Sequence, residues 1–135
     1  TAQWALLPVL YGAVVLLWVA GFDIIYALQD EGFDREEALF SIPVRLGTVN
    51  ALRLGRALHF LCASVLVIAL SYQAQQYPQV AWLSFLAGGL FLACLVYQHS
   101  LVKPGDLSQI NLAFFTTNGV ASLVFGGLCI LAIYV

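Results

Sequence analysis

The sequence predicts an all-α, multi-pass transmembrane bundle of four helices, and three observations predict it. Hydrophobic residues make up 62% of the 135 residues and charged residues 9%, where soluble globular domains carry roughly half and a quarter. Four apolar stretches are each long enough to cross a hydrocarbon core about 30 Å thick at about 1.5 Å of rise per residue. The charges gather in two places only, from Asp23 to Arg56 and in the short link holding Lys103 and Asp106. In lipid the backbone polar groups must be satisfied within the chain, and no stretch shows the strict alternation of a barrel strand, so helices are required.

The elements follow in order. The first helix is read over residues 4–28, with Pro8 in its opening turns, and the second over 56–73. The third runs over 80–101 and stops before Pro104-Gly105, where the backbone must bend. The fourth covers 111–134. Trp4, Tyr72, Tyr77 and Trp82 cluster toward the uncharged side and suit an interfacial aromatic belt. The pairs Gly88-Gly89 and Gly126-Gly127 permit close approach of helices. No internal repeat or low-complexity segment suggests a second domain, so residues 1–135 read as one transmembrane domain. The chain starts at Thr1, contains no methionine, and enters an apolar helix without the basic n-region of a signal peptide. It is therefore expected to be part of something longer.

With four helices in series, the two charged places fall on the same side of the membrane. Arg35, Arg45, Arg53, Arg56 and Lys103 all lie there, while the remaining link, residues 71–79, carries no charge. The positive-inside rule makes the charged side cytoplasmic and puts Thr1 and Val135 near the opposite side. The net charge of −2 describes loops only, and five scattered basic residues form no cluster of the kind that attracts nucleic acid. Cys62, Cys94 and Cys129 fall one to each of three apolar stretches and read as small buried hydrophobes.

The densest polar segment is where the first helix reaches the charged side, from Gly21 to Asp34. If the helix continues through it, Asp30 and Asp34 stand at i and i+4, with Asp23 two turns earlier on the same face. Three like charges on one face repel unless a cation or water screens them. Carboxylate oxygens are hard ligands suited to Mg²⁺, which adds the phosphate oxygens of a substrate. The competing reading is a solvated helix end, with Glu31, Glu36 and Glu37 in the same wet link. Asp23 resists that reading, because an acid just inside the apolar region turns toward protein or water. Ser41, Arg45 and Arg53 offer hydroxyl and guanidinium donors to a diphosphate, or serve a helix end and topology. Asp106 or Ser108 can cap the last helix. Asn118, more than a turn inside it, needs a protein, water or ligand partner. His59 and His99 read as ordinary helix residues without a spaced second ligand.

Together, Asp23-x-x-Tyr26-Ala27-x-Gln29-Asp30-x-x-x-Asp34, then Ser41-x-Pro43 and Leu46-Gly47, resemble the second aspartate-rich motif of the UbiA superfamily of intramembrane prenyltransferases. Asp106-Leu107-Ser108 and Asn111-x-Ala113-Phe114-Phe115-x-x-Asn118-Gly119 look like the start of the last helix in its 4-hydroxybenzoate polyprenyltransferase-like branch. The resemblance covers essentially the whole chain. It implies a nine-helix bundle of which helices six to nine are present here, in a bacterial inner membrane. The earlier helices, with the first aspartate-rich motif, would be missing partners, and this part alone would be inactive.

By the same resemblance, Asp30 and Asp34 are metal ligands for Mg²⁺, and Asp23 and Tyr26 are catalytic. Arg45, Arg53 and Ser41 would contact the diphosphate, and Gln29 and Asn118 other parts of the substrates. The implied reaction transfers a polyprenyl group from polyprenyl diphosphate to an aromatic acid, 4-hydroxybenzoate-like or dihydroxynaphthoate-like, in ubiquinone or menaquinone biosynthesis. The chain departs from the pattern at Phe40, often basic in relatives, and at Ala38, commonly glycine. A transporter or channel would instead repeat its acids at mid-membrane depth on several helices. A purely structural membrane role is opposed only by the density of the Asp, Gln and Tyr motif.

Overall fold

The computed structural model describes residues 2–134, with the side chains of residues 6–132 and Tyr134. The chain is all-helical, with no β-strand among the described residues, and four helical segments are long and apolar enough to cross a membrane: Leu6–Glu36, Ile42–Gln76, Pro78–Leu101 and Asn111–Ala132. Helix α1 (Ala2–Tyr26) carries Pro8 without breaking. It passes through a 3-10 turn (Ala27–Asp30) into the short α2 (Glu31–Glu36). Helix α3 spans Ile42–Gln76, α4 spans Ala81–Leu101, and α5 spans Thr117–Tyr134 after a π-helical turn, Asn111–Thr116.

Much of the segment read as a link is helical. Helix α3 begins at Ile42 rather than at Arg56, capped by Ser41, whose Oγ accepts from the Val44 amide at 3.4 Å. At 35 residues it runs roughly 50 Å, well beyond the hydrocarbon core, and it breaks once, at Gly47 (φ 77°, ψ 160°). That backbone region is open essentially only to glycine. No atom lies within 4 Å of a Cβ built there, so conformation and not crowding accounts for this residue.

The end of α2 follows the same logic. Leu39 N–H donates to the Asp34 carbonyl at 2.8 Å and Ala38 N–H to the Arg35 carbonyl at 3.3 Å. These are the paired bonds of a Schellman cap, whose C′ residue adopts the left-handed conformation that favours glycine. Ala38 occupies it at φ 54°. One of the two residues at which the chain departs from the motif is thus the one non-glycine at positive φ among the described residues.

Helix α1 packs on α3, α3 on α4, and α4 on α5, while side chains of α5 return to α1. The closest approach of α1 and α3 is through Gly21 and Gly55. A Cβ on Gly21 would stand 2.4 Å from His59 Cδ2, and one on Gly55 would stand 2.6 Å from Ile25 Cγ1. Of the glycine pairs read as packing sites, only Gly88 is crowded, against Leu70; Gly89, Gly126 and Gly127 face no described atom within 4 Å.

Two apolar cores result. One, around Ile25, Leu52 and Phe114, lies toward the charged end. The other, around Val14, Cys62, Leu66 and Phe91, lies toward the uncharged end. There Trp82 is exposed and Tyr72 and Tyr77 are half-buried, whereas the Trp4 side chain lies outside the described residues. Between the cores on all four helices sits a polar layer: Trp18 on α1, His59 on α3, Gln98 and His99 on α4, and Asn118 on α5.

Candidate active site

The 3-10 turn decides how the aspartates are presented. Each of its residues turns about 120° instead of the 100° of an α-helix. Asp30 closes that turn with its backbone outside the α-helical region (φ −100°, ψ 3°) before α2 begins. The expected continuous face joining Asp23, Asp30 and Asp34 is therefore broken at Asp30, although Gly32, the natural suspect for a break, lies inside α2.

Asp23 lines an open groove of about 300 Å³ together with Trp18, Val19, Phe22, Phe114, Phe115 and Asn118. Asp30 and Asp34 do not line it. They stand beyond the end of α1, Asp30 exposed and Asp34 half-buried. Their neighbour Glu31 is committed, accepting from Arg35 at 2.7 Å and from Thr48 Oγ1 at 2.6 Å, which ties α2 to α3. No side-chain hydrogen bond or ion pair engages either aspartate, and Arg35 with Glu31 is the one ion pair among the described residues.

No three His, Cys, Asp or Glu side chains among the described residues converge on a common metal position. The donor chemistry of the pair nevertheless fits a hard divalent cation: two carboxylates in wet surroundings, free of competing cations, four residues apart. A further set of ligands is needed to complete such a site.

The remaining expected site residues are dispersed over the charged end. Tyr26 is half-buried and packs at a tilt on Phe22, a lining residue of the groove, with ring centroids 5.4 Å apart. Gln29 donates to Asn111 Oδ1 at 3.3 Å, linking the 3-10 turn to the π-helical turn. The Ser41 oxygen is engaged as the cap of α3. Arg45 is exposed in the first turn of α3, and Arg53 reaches only Asn50 Oδ1, at 3.5 Å. Neither arginine pairs with Asp30 or Asp34.

The link before the last helix is a tight turn in which Lys103 and Asp106 exchange backbone hydrogen bonds of 3.2 and 3.0 Å around Pro104-Gly105. Asp106 Oδ1 accepts from the Ser108 amide at 3.0 Å and from its hydroxyl at 2.6 Å. These bonds, with Lys103 nearby, hold its carboxyl below the usual aspartate value.

The sequence reading expected a partner for Asn118 but missed Gln98 and the pairing of the two histidines. His59, 2% exposed, places Nε2 3.0 Å from the Trp18 carbonyl and Nδ1 2.8 Å from His99 Nε2. A carbonyl only accepts, so His59 carries its proton on Nε2, and in the neutral ring its Nδ1 accepts from His99. The two histidines are thus partners across α3 and α4. Phe114, fully buried, packs on both rings at 6.2 and 5.8 Å. Asn118 Oδ1 accepts from Trp18 Nε1 at 3.2 Å and from Gln98 Nε2. Gln98 was the available signal: an amide inside an apolar span must find partners.

The comparison with protein families agrees with the resemblance read from the motifs. The UbiA prenyltransferase family matches residues 1–134. No curated protein and no solved structure matches the chain. Four membrane-crossing helices, aspartates gathered at one end of α1, and a family match over nearly every residue lead to one assignment: this integral membrane chain belongs to the UbiA prenyltransferase family.

Proposed function

We propose that this chain supplies the second carboxylate cluster and one cavity wall of a Mg²⁺-dependent aromatic prenyltransferase. The enzyme moves a polyprenyl group from polyprenyl diphosphate to a 4-hydroxybenzoate-like or dihydroxynaphthoate-like acceptor, in ubiquinone or menaquinone biosynthesis. Family membership supports prenyl transfer in general. The observation that carries the finer reading is the contrast at the end of α1, where Glu31 is bonded on both oxygens while Asp30 and Asp34 are left free.

Asp30 and Asp34 would hold Mg²⁺ together with an aspartate-rich motif from preceding helices of the same protein. When bound, the cation supplies Lewis-acid neutralisation of a diphosphate leaving group. Arg45 and Arg53 can swing toward diphosphate oxygens, since neither is held in an ion pair. Ser41 keeps its hydroxyl hydrogen for donation while its oxygen caps α3. Gln29 braces the turn that presents Asp30.

Phe22 and Phe115 give the groove aromatic faces that attract a developing allylic cation, and Tyr26 packs against Phe22. Asp23 lines the same groove, and in this reading its carboxylate accepts the proton that the ring loses once the carbon-carbon bond has formed. The charged end faces the cytoplasm in this reading, and the membrane is the bacterial inner membrane.

The test uses the complete protein in membranes with labelled prenyl diphosphate, Mg²⁺ and each of the two acceptors. Product is expected with one acceptor, and Asp30→Ala or Asp34→Ala should abolish it. Unchanged turnover in both variants would remove the metal role, and no metal-dependent use of any prenyl diphosphate would remove the reading itself.

A further inference from the structure

The amide of Asn118 has only one permitted orientation. Trp18 Nε1–H is a pure donor and stands 3.2 Å from Asn118 Oδ1, so reversing the amide would set an NH₂ group against an indole N–H. With that oxygen facing Trp18, Gln98 must also turn its NH₂ toward it. The consequence is visible in Gln98 itself. Its side chain is 0% exposed, and its Oε1 is the one buried polar side-chain atom without a hydrogen-bond partner among the described residues. Turning Gln98 over would pair nothing, because Oε1 would then face another oxygen. A buried carbonyl is left unsatisfied, and the polarity of Asn118 is what it sustains.

Both lone pairs of Asn118 Oδ1 are thereby occupied, by donors from α1 and α4. Its Nδ2 has no acceptor on the described residues, and Asn118 lines the same groove as Asp23. We infer that Trp18 and Gln98 are positioning residues that lock Asn118 as a hydrogen-bond donor to the groove. The groove therefore selects aromatic acceptors through a ring substituent whose oxygen accepts a hydrogen bond, a carboxylate or carbonyl, and disfavours rings that bring only a donor there. This rests on the prenyl-transfer reading for the identity of the ligand, but the lock itself is a property of the three side chains.

Two substitutions in the complete protein separate the alternatives. Asn118→Asp keeps an oxygen for Trp18 and Gln98 but offers the groove a second oxygen in place of NH₂. Trp18→Phe keeps the ring but removes the indole donor, so that the Asn118 and Gln98 amides can turn over together and pair Asn118 Nδ2 with Gln98 Oε1. In each variant the KM for the aromatic acid should rise about tenfold, the value of one hydrogen bond to a carboxylate, while the KM for prenyl diphosphate stays unchanged. A merely structural Trp18 would instead lower the melting temperature and leave the acceptor KM alone.

The lock is read without turnover by NMR of ¹⁵N-labelled protein titrated with 4-hydroxybenzoate and with dihydroxynaphthoate. The Asn118 NH₂ resonance should move with one of these acids in the parent protein and stay still in Trp18→Phe. A shift in protein that transfers no prenyl group would sink the reaction and keep the lock. Unchanged acceptor KM in both variants, or an Asn118 resonance indifferent to both acids, would overturn it.

Discussion

Gly21→Ala tests whether the α1 to α3 contact and the polar layer form one unit. The added carbon would stand 2.4 Å from His59 Cδ2, 2.5 Å from Nε2 and 3.1 Å from the Gly55 carbonyl, where about 3.5–4.0 Å is comfortable between carbon atoms. One side must therefore yield by roughly 1 Å. The His59 ring is held at both nitrogens, by His99 at 2.8 Å and the Trp18 carbonyl at 3.0 Å, and the other neighbour is backbone.

Moving the ring loses two hydrogen bonds, about 1 kcal/mol each. Parting the helices instead incurs an overpacking cost of about 1–3 kcal/mol. Alanine recovers about 1 kcal/mol of helix propensity. Net of that gain, moving the ring costs about 1 kcal/mol and parting the helices about 0–2 kcal/mol. The control is Gly89→Ala, which meets no described atom within 4 Å and should gain up to about 1 kcal/mol. Reversible unfolding in mixed detergent micelles measures both. A Gly21→Ala protein as stable as Gly89→Ala would refute the tight contact and the pinned ring together.

Ala38→Gly should stabilise the same protein by about 0.5–1 kcal/mol, because the left-handed penalty of about 1–2 kcal/mol for alanine outweighs the extra chain entropy of glycine; an unchanged midpoint would argue against the Schellman cap. Gly47→Ala should cost about 1–3 kcal/mol despite its open surroundings, and a neutral result in the same unfolding assay would mean that α3 does not break there. Asp106 binds its proton less readily when folded, so its contribution is present above the ordinary aspartate value of 3.8 and is lost as pH falls through its lower folded value. Protection of the Ser108 amide, its exchange relative to the intrinsic rate at each pH, should be lost over that acidic window and be absent at every pH in Asp106→Ala.

Composition and segment length were enough to specify the class of fold. A chain with 9% charge and four long apolar runs has no soluble solution, and lipid admits the runs only as helices. The motif spacing was enough for the family, because Asp23, Tyr26, Gln29, Asp30 and Asp34 are close along the chain. The same local reading erred where backbone geometry is settled by neighbours. It carried one helical face through Asp30, where the chain tightens to a 3-10 turn while Glu31 is tied to Thr48 of α3. It left residues 42–55 unstructured, although Ser41 and Pro43 are a helix start and Gly47 a break.

What only the tertiary structure decided is the set of contacts between residues far apart in sequence. His59 meets His99, and Asn118 meets Trp18, across separations of 40 and 100 residues. Each of these side chains, read alone in an apolar stretch, says that a partner must exist, because an unpaired polar group in hydrocarbon is expensive. The identity of the partner depends on helix rotation and crossing. Those are set by where α1 and α3 can approach, at Gly21 and Gly55. Asp23 shows both halves of the lesson: its sequence position marked it as an acid expected to turn away from lipid, and the packing of the π-helical turn against α1 supplied the aromatic groove it lines.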